Sequence, residues 1–116
     1  MPITFAHITI DCADAAALAG FWSQLLEVPV DPGANTQFAT VGRTAGATPV
    51  LMFLRVPDKN PGKNVIHLDL SATDWHDQVD RVIALGAKRI GDFDEYGVKW
   101  VTLADPEGNL FDIGAA

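Results

Sequence analysis

Two stretches of this 116-residue chain carry side chains suited to chemistry, and they are built alike. The first is Phe5-Ala6-His7-Ile8-Thr9-Ile10-Asp11. The second, sixty residues later, is Val65-Ile66-His67-Leu68-Asp69-Leu70-Ser71. Each alternates in the strand sense, with one greasy face and a histidine on the other. A further acid, Asp112, lies in the last apolar run, Leu110 to Ile113. Imidazoles and carboxylates set singly among aromatic and aliphatic side chains are how a pocket fixes a small molecule in one orientation.

The elements that position these residues follow from periodicity. Residues 3–11 read as a strand, and Asp11 or Asp14 is placed to cap a helix over Ala15 to Glu27. That helix carries Leu18, Phe21, Trp22, Leu25 and Leu26 on one stripe, and Pro29 ends it. Turn residues at 30–35 precede two strands, Gln37 to Val41 and Pro49 to Val56, joined by a Gly- and Thr-rich hairpin. The polar run Pro57 to Asn64 reads as a linker. A second set follows: strand 65–71, helix 75–85 closed by Gly86, and a short strand at Lys88 to Ile90. A loop at Gly91 to Tyr96, a strand at Val98 to Leu103, the turn Asp105-Pro106-Glu107-Gly108-Asn109 and a strand at Leu110 to Ile113 complete it.

Both halves are therefore read on one plan, a strand, a helix and three further strands, with two of the three placed in the first half. A shift of sixty residues pairs His7 with His67, Asp14 with Asp74, Leu25 with Leu85 and Val41 with Val101. The order of elements and the register of first and last strands point to a duplicated unit within a single α+β domain, with modules at 3–56 and 65–114 and a linker at 57–64. Strand parity sends Ile8, Ile10, Leu51, Phe53, Leu68, Leu70, Val101, Leu103, Phe111 and Ile113 towards the helices. The opposite face then carries His7, Phe38, Met52, Leu54, His67, Asp69, Trp100 and Asp112.

Composition narrows the partners. Eight Lys and Arg face fifteen Asp and Glu, a net charge of -7 that repels phosphate backbones and anionic membranes. The expected partner is a small molecule, with neither nucleic acid nor membrane. The single cysteine, Cys12, allows no intrachain disulfide, and no window approaches the ~20 apolar residues of a membrane helix. The expected compartment is the cytoplasm.

The paired βαβββ layout, the strand histidines and the Asp105-Pro106-Glu107-Gly108-Asn109 turn resemble the vicinal oxygen chelate superfamily. That group holds glyoxalase I, extradiol dioxygenases, fosfomycin-resistance transferases and bleomycin-resistance proteins. Within it the chain is most similar to glyoxalase-like domains, through Phe53-Leu54-Arg55-Val56-Pro57 and Lys63-Asn64-Val65-Ile66-His67-Leu68-Asp69-Leu70. The resemblance implies a curved mixed sheet around a cleft, and frequent homodimers. It implies metal ligands from the first and last strand of each half, which here are His7, Met52, His67 and Asp112. With Met52 unable to serve as an acid or base, the implied set is His7, His67 and Asp112, suited to a divalent ion such as Fe, Mn, Ni or Zn. Asp69 is then the base, or the partner that orients a ligand. Phe38, Met52, Leu54 and Trp100 are implied as ligand-binding walls, and no nucleotide cofactor is implied.

The activity so implied is a metal-dependent lyase, isomerase or dioxygenase acting on adjacent oxygens, and not a true glyoxalase I, which needs a Glu at position 52. The alternative is a metal-free binding protein of the bleomycin-resistance type. Plainer readings stand beside these: His7 and His67 as hydrogen-bonded core residues, His76 as a surface residue and Cys12 as an inert buried thiol.

Overall fold

A computed structural model of the chain describes residues 5–57, 66–95 and 97–116. Backbone contacts separate two compact units, Met1–Asn60 and Pro61–Ala116. The expected linker, apart from Pro57, lies outside the described residues.

Unit 1 contains β1 (Ile8–Cys12), α1 (Ala15–Leu26), β2 (Phe38–Val41) and β3 (Leu51–Arg55). The strands form one sheet of order β1-β3-β2, with β1 parallel and β2 antiparallel to β3. Parallel neighbours need a long crossover, and α1 forms part of it. Asp14, rather than Asp11, caps α1: its carboxylate accepts a bond from the Ala17 amide at 3.1 Å. The helix buries Ala15, Leu18, Ala19, Trp22 and Leu25, the stripe expected of an amphipathic helix, and packs on β2 and β3. Trp22 and Phe53 are shielded almost fully from water, worth roughly 2–3 kcal/mol each by apolar burial. Leu26, the last helical residue, departs from the expected stripe and is 37% exposed.

The βαβββ plan calls for three strands after this helix, and unit 1 has the two that the sequence places within Gln37 to Val41 and Pro49 to Val56. The place of the other is held by a single bridge between Val30 and Val41. Pro29 and Pro32 flank Val30, and neither has an amide proton to extend a ladder.

Unit 2 keeps the full βαβββ plan: β4 (Leu68–Ala72), α2 (Trp75–Ala84), β5 (Lys88–Glu95), β6 (Val98–Ala104) and β7 (Leu110–Ala115). Its sheet order is β4-β7-β6-β5, with β4 parallel to β7 and the other pairs antiparallel. Val79 and Val82 of α2 are buried, and the helix packs on β4 and β7. Gly86 follows at φ 124, where a helix-ending glycine belongs. Residues 91–95 belong to β5 and not to the expected loop. Their run of acids hides an alternation in which Phe93 pairs with Trp100, past an irregularity between Arg89 and Gly91.

Two further details differ from the sequence reading. Both histidines precede their strands: the ladders open at Ile8 opposite Leu51 and at Leu68 opposite Phe111. The repeat also slips by two residues in its middle strand. Val41 faces Leu51 as Leu103 faces Phe111, so Val41 matches Leu103 rather than Val101. Neither helix is long and apolar enough to cross a membrane.

Candidate functional site

Within unit 2, register alone assembles a polar row. Asp69 of β4 lies opposite Asp112 of β7, and Asp112 lies opposite Thr102 of β6. All three share the face opposite Phe111 and Ile113, which are buried on the helix side. The phase of β7 is set by the turn before it. Asp105, 4% exposed, accepts bonds from the Glu107 amide at 2.9 Å and the Asn109 amide at 3.0 Å, while Gly108 takes φ 86. A left-handed residue costs least as glycine, so this turn delivers Leu110 into the ladder one way up.

His67 stands at the mouth of β4 and completes the set. Its Nδ1 lies 3.4 Å from Asp69 Oδ1 and 3.7 Å from Asp112 Oδ2. Ligand atoms of the three residues all fall within 4.8 Å of one another. Thr102 Oγ1 donates to Asp112 Oδ1 at 2.6 Å, which fixes that carboxylate and leaves Oδ2 turned to the imidazole. The Asp112 side chain is 19% exposed, against 43% for His67 and 70% for Asp69. Asp112 is therefore the anchored member and Asp69 the exposed one.

The chemistry of the set fits a divalent ion. Two carboxylates directly opposed across adjacent strands repel each other, and a shared cation removes that cost. One imidazole and two carboxylates are N and O donors without thiolate, the choice of Fe(II), Mn(II) and Zn(II) rather than Cu(I). Separations of 3.4 and 3.7 Å from the shared nitrogen are close to those between neighbouring ligands around one ion with bonds of ~2.1 Å.

Beside this row the sheet opens into a groove of about 400 Å³. Trp100 of β6 lies opposite Gly114 of β7, and the Trp100 ring stacks on Phe93 with centroids 5.3 Å apart and planes 15° from parallel. A Cβ at position 114 would meet the Lys99 carbonyl oxygen at 3.0 Å and Trp100 Cβ at 3.4 Å, so a side chain there would have to push these neighbours back by a few tenths of an ångström. Glu95 and Val98, a register pair, line the far end of the groove.

The other expected site residues belong to unit 1. Met52 faces Thr9 and Thr40, and the Thr9 hydroxyl donates weakly to the Met52 sulfur at 3.8 Å. Phe38 and Leu54 are register partners, 38% and 41% exposed, so Phe38, Met52 and Leu54 do share one face. His7 immediately precedes β1, as His67 precedes β4. Unit 1 also holds a buried acid, Asp31, within the turn at 30–35. Asp31 accepts from Thr40 Oγ1 at 2.6 Å, the Arg43 amide at 3.0 Å and the Thr44 amide at 2.8 Å. Burial pushes its pKa up, but the bonds from Thr40, Thr44 and Arg43 outweigh this and hold it at about 2.

A family model described as the glyoxalase-like domain matches residues 7–114. The chain belongs to this family. Solved structures of the same fold include a glyoxalase/bleomycin resistance protein/dioxygenase family enzyme from Burkholderia phytofirmans PsJN, with a TM-score of 0.78, 18% identity and 95% and 96% of the two chains covered. A mutant of the fosfomycin resistance protein FosX from Listeria monocytogenes, complexed with Mn(II) and 1S,2S-dihydroxypropylphosphonic acid, is similar at a TM-score of 0.78 and 14% identity, over 98% and 90%. The bleomycin-binding protein of Streptomyces verticillus, complexed with copper(II)-bleomycin, is similar at 0.67 and 18% identity, over 100% and 98%. These likenesses establish the fold. No curated protein matches the chain by sequence.

In this glyoxalase-like domain several groove residues had no assigned role in the sequence. Glu95 lay in an apparent loop, and the partnership of Thr102 with Asp112 depends on a register that no local pattern displays. Gly114 carried a usable signal, since it sits two residues past Asp112 and so shares its face.

Proposed function

We propose that this glyoxalase-like domain is a metal-dependent enzyme acting on a small molecule with adjacent oxygens. His67, Asp69 and Asp112 would hold the ion. The observation that carries this reading is the three-residue set itself, with ligand atoms within 4.8 Å and one carboxylate oriented by Thr102. The Mn(II) in the FosX complex supports it as an analogy of fold.

When bound, a divalent ion supplies Lewis acidity to oxygens beside it. The protein supplies the rest. Asp112, held by Thr102, keeps its ligand oxygen in place. Asp69, with 70% of its side chain exposed and His67 as its neighbour, is the carboxylate able to take a proton from substrate, which keeps for it the role of base. Trp100 and Gly114 offer a flat floor for the substrate body. His7 enters as the unit 1 counterpart of His67, and His7→Ala tests whether it shares in metal binding. Phe38, Met52 and Leu54 would contribute apolar wall. The reading takes the two units as modules of one domain in a cytoplasmic homodimer, whose mass light scattering would check.

The test is metal analysis of protein purified without a nickel column, with thermal shifts on adding Fe(II), Mn(II), Ni(II) or Zn(II). One bound ion per chain, lost in Asp112→Ala, is expected; no bound ion and no shift with any of the four would sink the reading. A second reading, a metal-free binding protein, is favoured by the stacked Phe93–Trp100 pair alone. Ligand binding unchanged by EDTA and by His67→Ala would support it.

A further inference from the structure

The groove beside Trp100 has a charge that says what it can accept. Three acids line it, Asp69, Glu95 and Asp112, and among the described residues no lysine or arginine does. The nearest cation in sequence, Lys99, lies between Val98 and Trp100, and alternation turns its side chain to the opposite face. A bound divalent ion would offset Asp69 and Asp112. It would leave Glu95, which lies on the row of Val98, four residues along β6 from Thr102 and so roughly 13 Å of strand away. Between the two ends lies Trp100 over Gly114, where no side chain fills the floor.

We propose that the groove selects a planar ligand carrying a positive charge, with its ring against Trp100 and its cationic group towards Glu95. This names the substrate class of the proposed function; only its oxygen-bearing end rests on that reading. An anionic ligand would meet an uncompensated carboxylate at the far end and a field set by the net charge of -7. A cationic one gains attraction to Glu95 and to the indole face.

Matched probes make the test. Dissociation constants are measured by calorimetry, with Mn(II) present, for dopamine and for its carboxylate counterpart homoprotocatechuate. The same is done in EDTA for phenethylamine and phenylacetate, which lack adjacent oxygens. Dopamine is expected to bind about tenfold or more tightly than homoprotocatechuate. Glu95→Gln should bring that ratio close to one, whereas Asp80→Asn, an equal change in net charge at an exposed position of α2, should leave it standing. Trp100→Leu should weaken dopamine and phenethylamine together, with circular dichroism checking that each variant folds.

If the metal reading alone is wrong, the gain from adjacent oxygens disappears, while phenethylamine still outbinds phenylacetate in EDTA. The inference itself is overturned if the anions bind as tightly as the cations. Equal effects of Glu95→Gln and Asp80→Asn would also overturn it, because net charge and not the groove would then be selecting.

Discussion

The two units carry the same row on the same three strands, filled differently. In unit 1 it reads Thr9, Met52, Thr40; in unit 2 it reads Asp69, Asp112, Thr102. Each threonine donates a 2.6 Å bond to an aspartate, but to different ends. Thr102 reaches across the sheet to Asp112, while Thr40 turns to Asp31 in the segment that replaces a strand. The same hydroxyl thus orients a carboxylate beside His67 in one unit and holds a turn in the other. Matching strand pairings fix where side chains stand in each unit, and the residue types within the row decide which contacts they make.

The largest test of this contrast is removal of each aspartate. Asp112→Ala should weaken Mn(II) binding by at least about 100-fold, since on the proposed reading it deletes a ligand rather than a supporting contact, and titration calorimetry reads it. Asp31→Ala should leave metal affinity alone and cost roughly 2–4 kcal/mol of stability in urea unfolding, because three bonds to a buried carboxylate are lost. Its pH signature is specific. The folded pKa of about 2 lies below the ordinary 3.8, so the stabilisation is fully present above about pH 4 and fades as pH falls through 2. Unfolding curves over that window should show a steeper loss in the parent protein than in Asp31→Ala.

A finer pair compares the threonines. Thr102→Val should reduce Mn(II) affinity about tenfold by freeing Asp112 to rotate. Thr40→Val should not change metal affinity, and should cost roughly 1–2 kcal/mol by leaving Asp31 short of a donor. If both substitutions affect metal equally, the division of labour between the units fails.

Much of this was legible in the chain because strand parity is a two-residue rule. The phase of Asp69 and Asp112 against Leu68, Leu70, Phe111 and Ile113 puts both acids on one face by sequence alone. Met52 at the place of Asp112 was equally plain. What escaped depended on contacts distant in sequence. Asp31 reads as part of a turn because its donors, Thr40, Arg43 and Thr44, lie nine to thirteen residues on. Residues 91–95 read as loop because their acids mask an edge strand that β6 alone holds in place. The grouping of Asp69 with both His67 and Asp112 within 4.8 Å depends likewise on contacts across the sheet, and it leaves the expected role of base in place.

The central claim is that the row of unit 2 holds a divalent ion, and paramagnetic line broadening tests it at residue level. Substoichiometric Mn(II) added to isotope-labelled protein should first erase the amide signals of residues 67–70, 102 and 111–113, with those of β2 and α1 persisting. Broadening spread evenly over the acidic surface, or centred on Asp92 and Asp94 instead, would contradict the account.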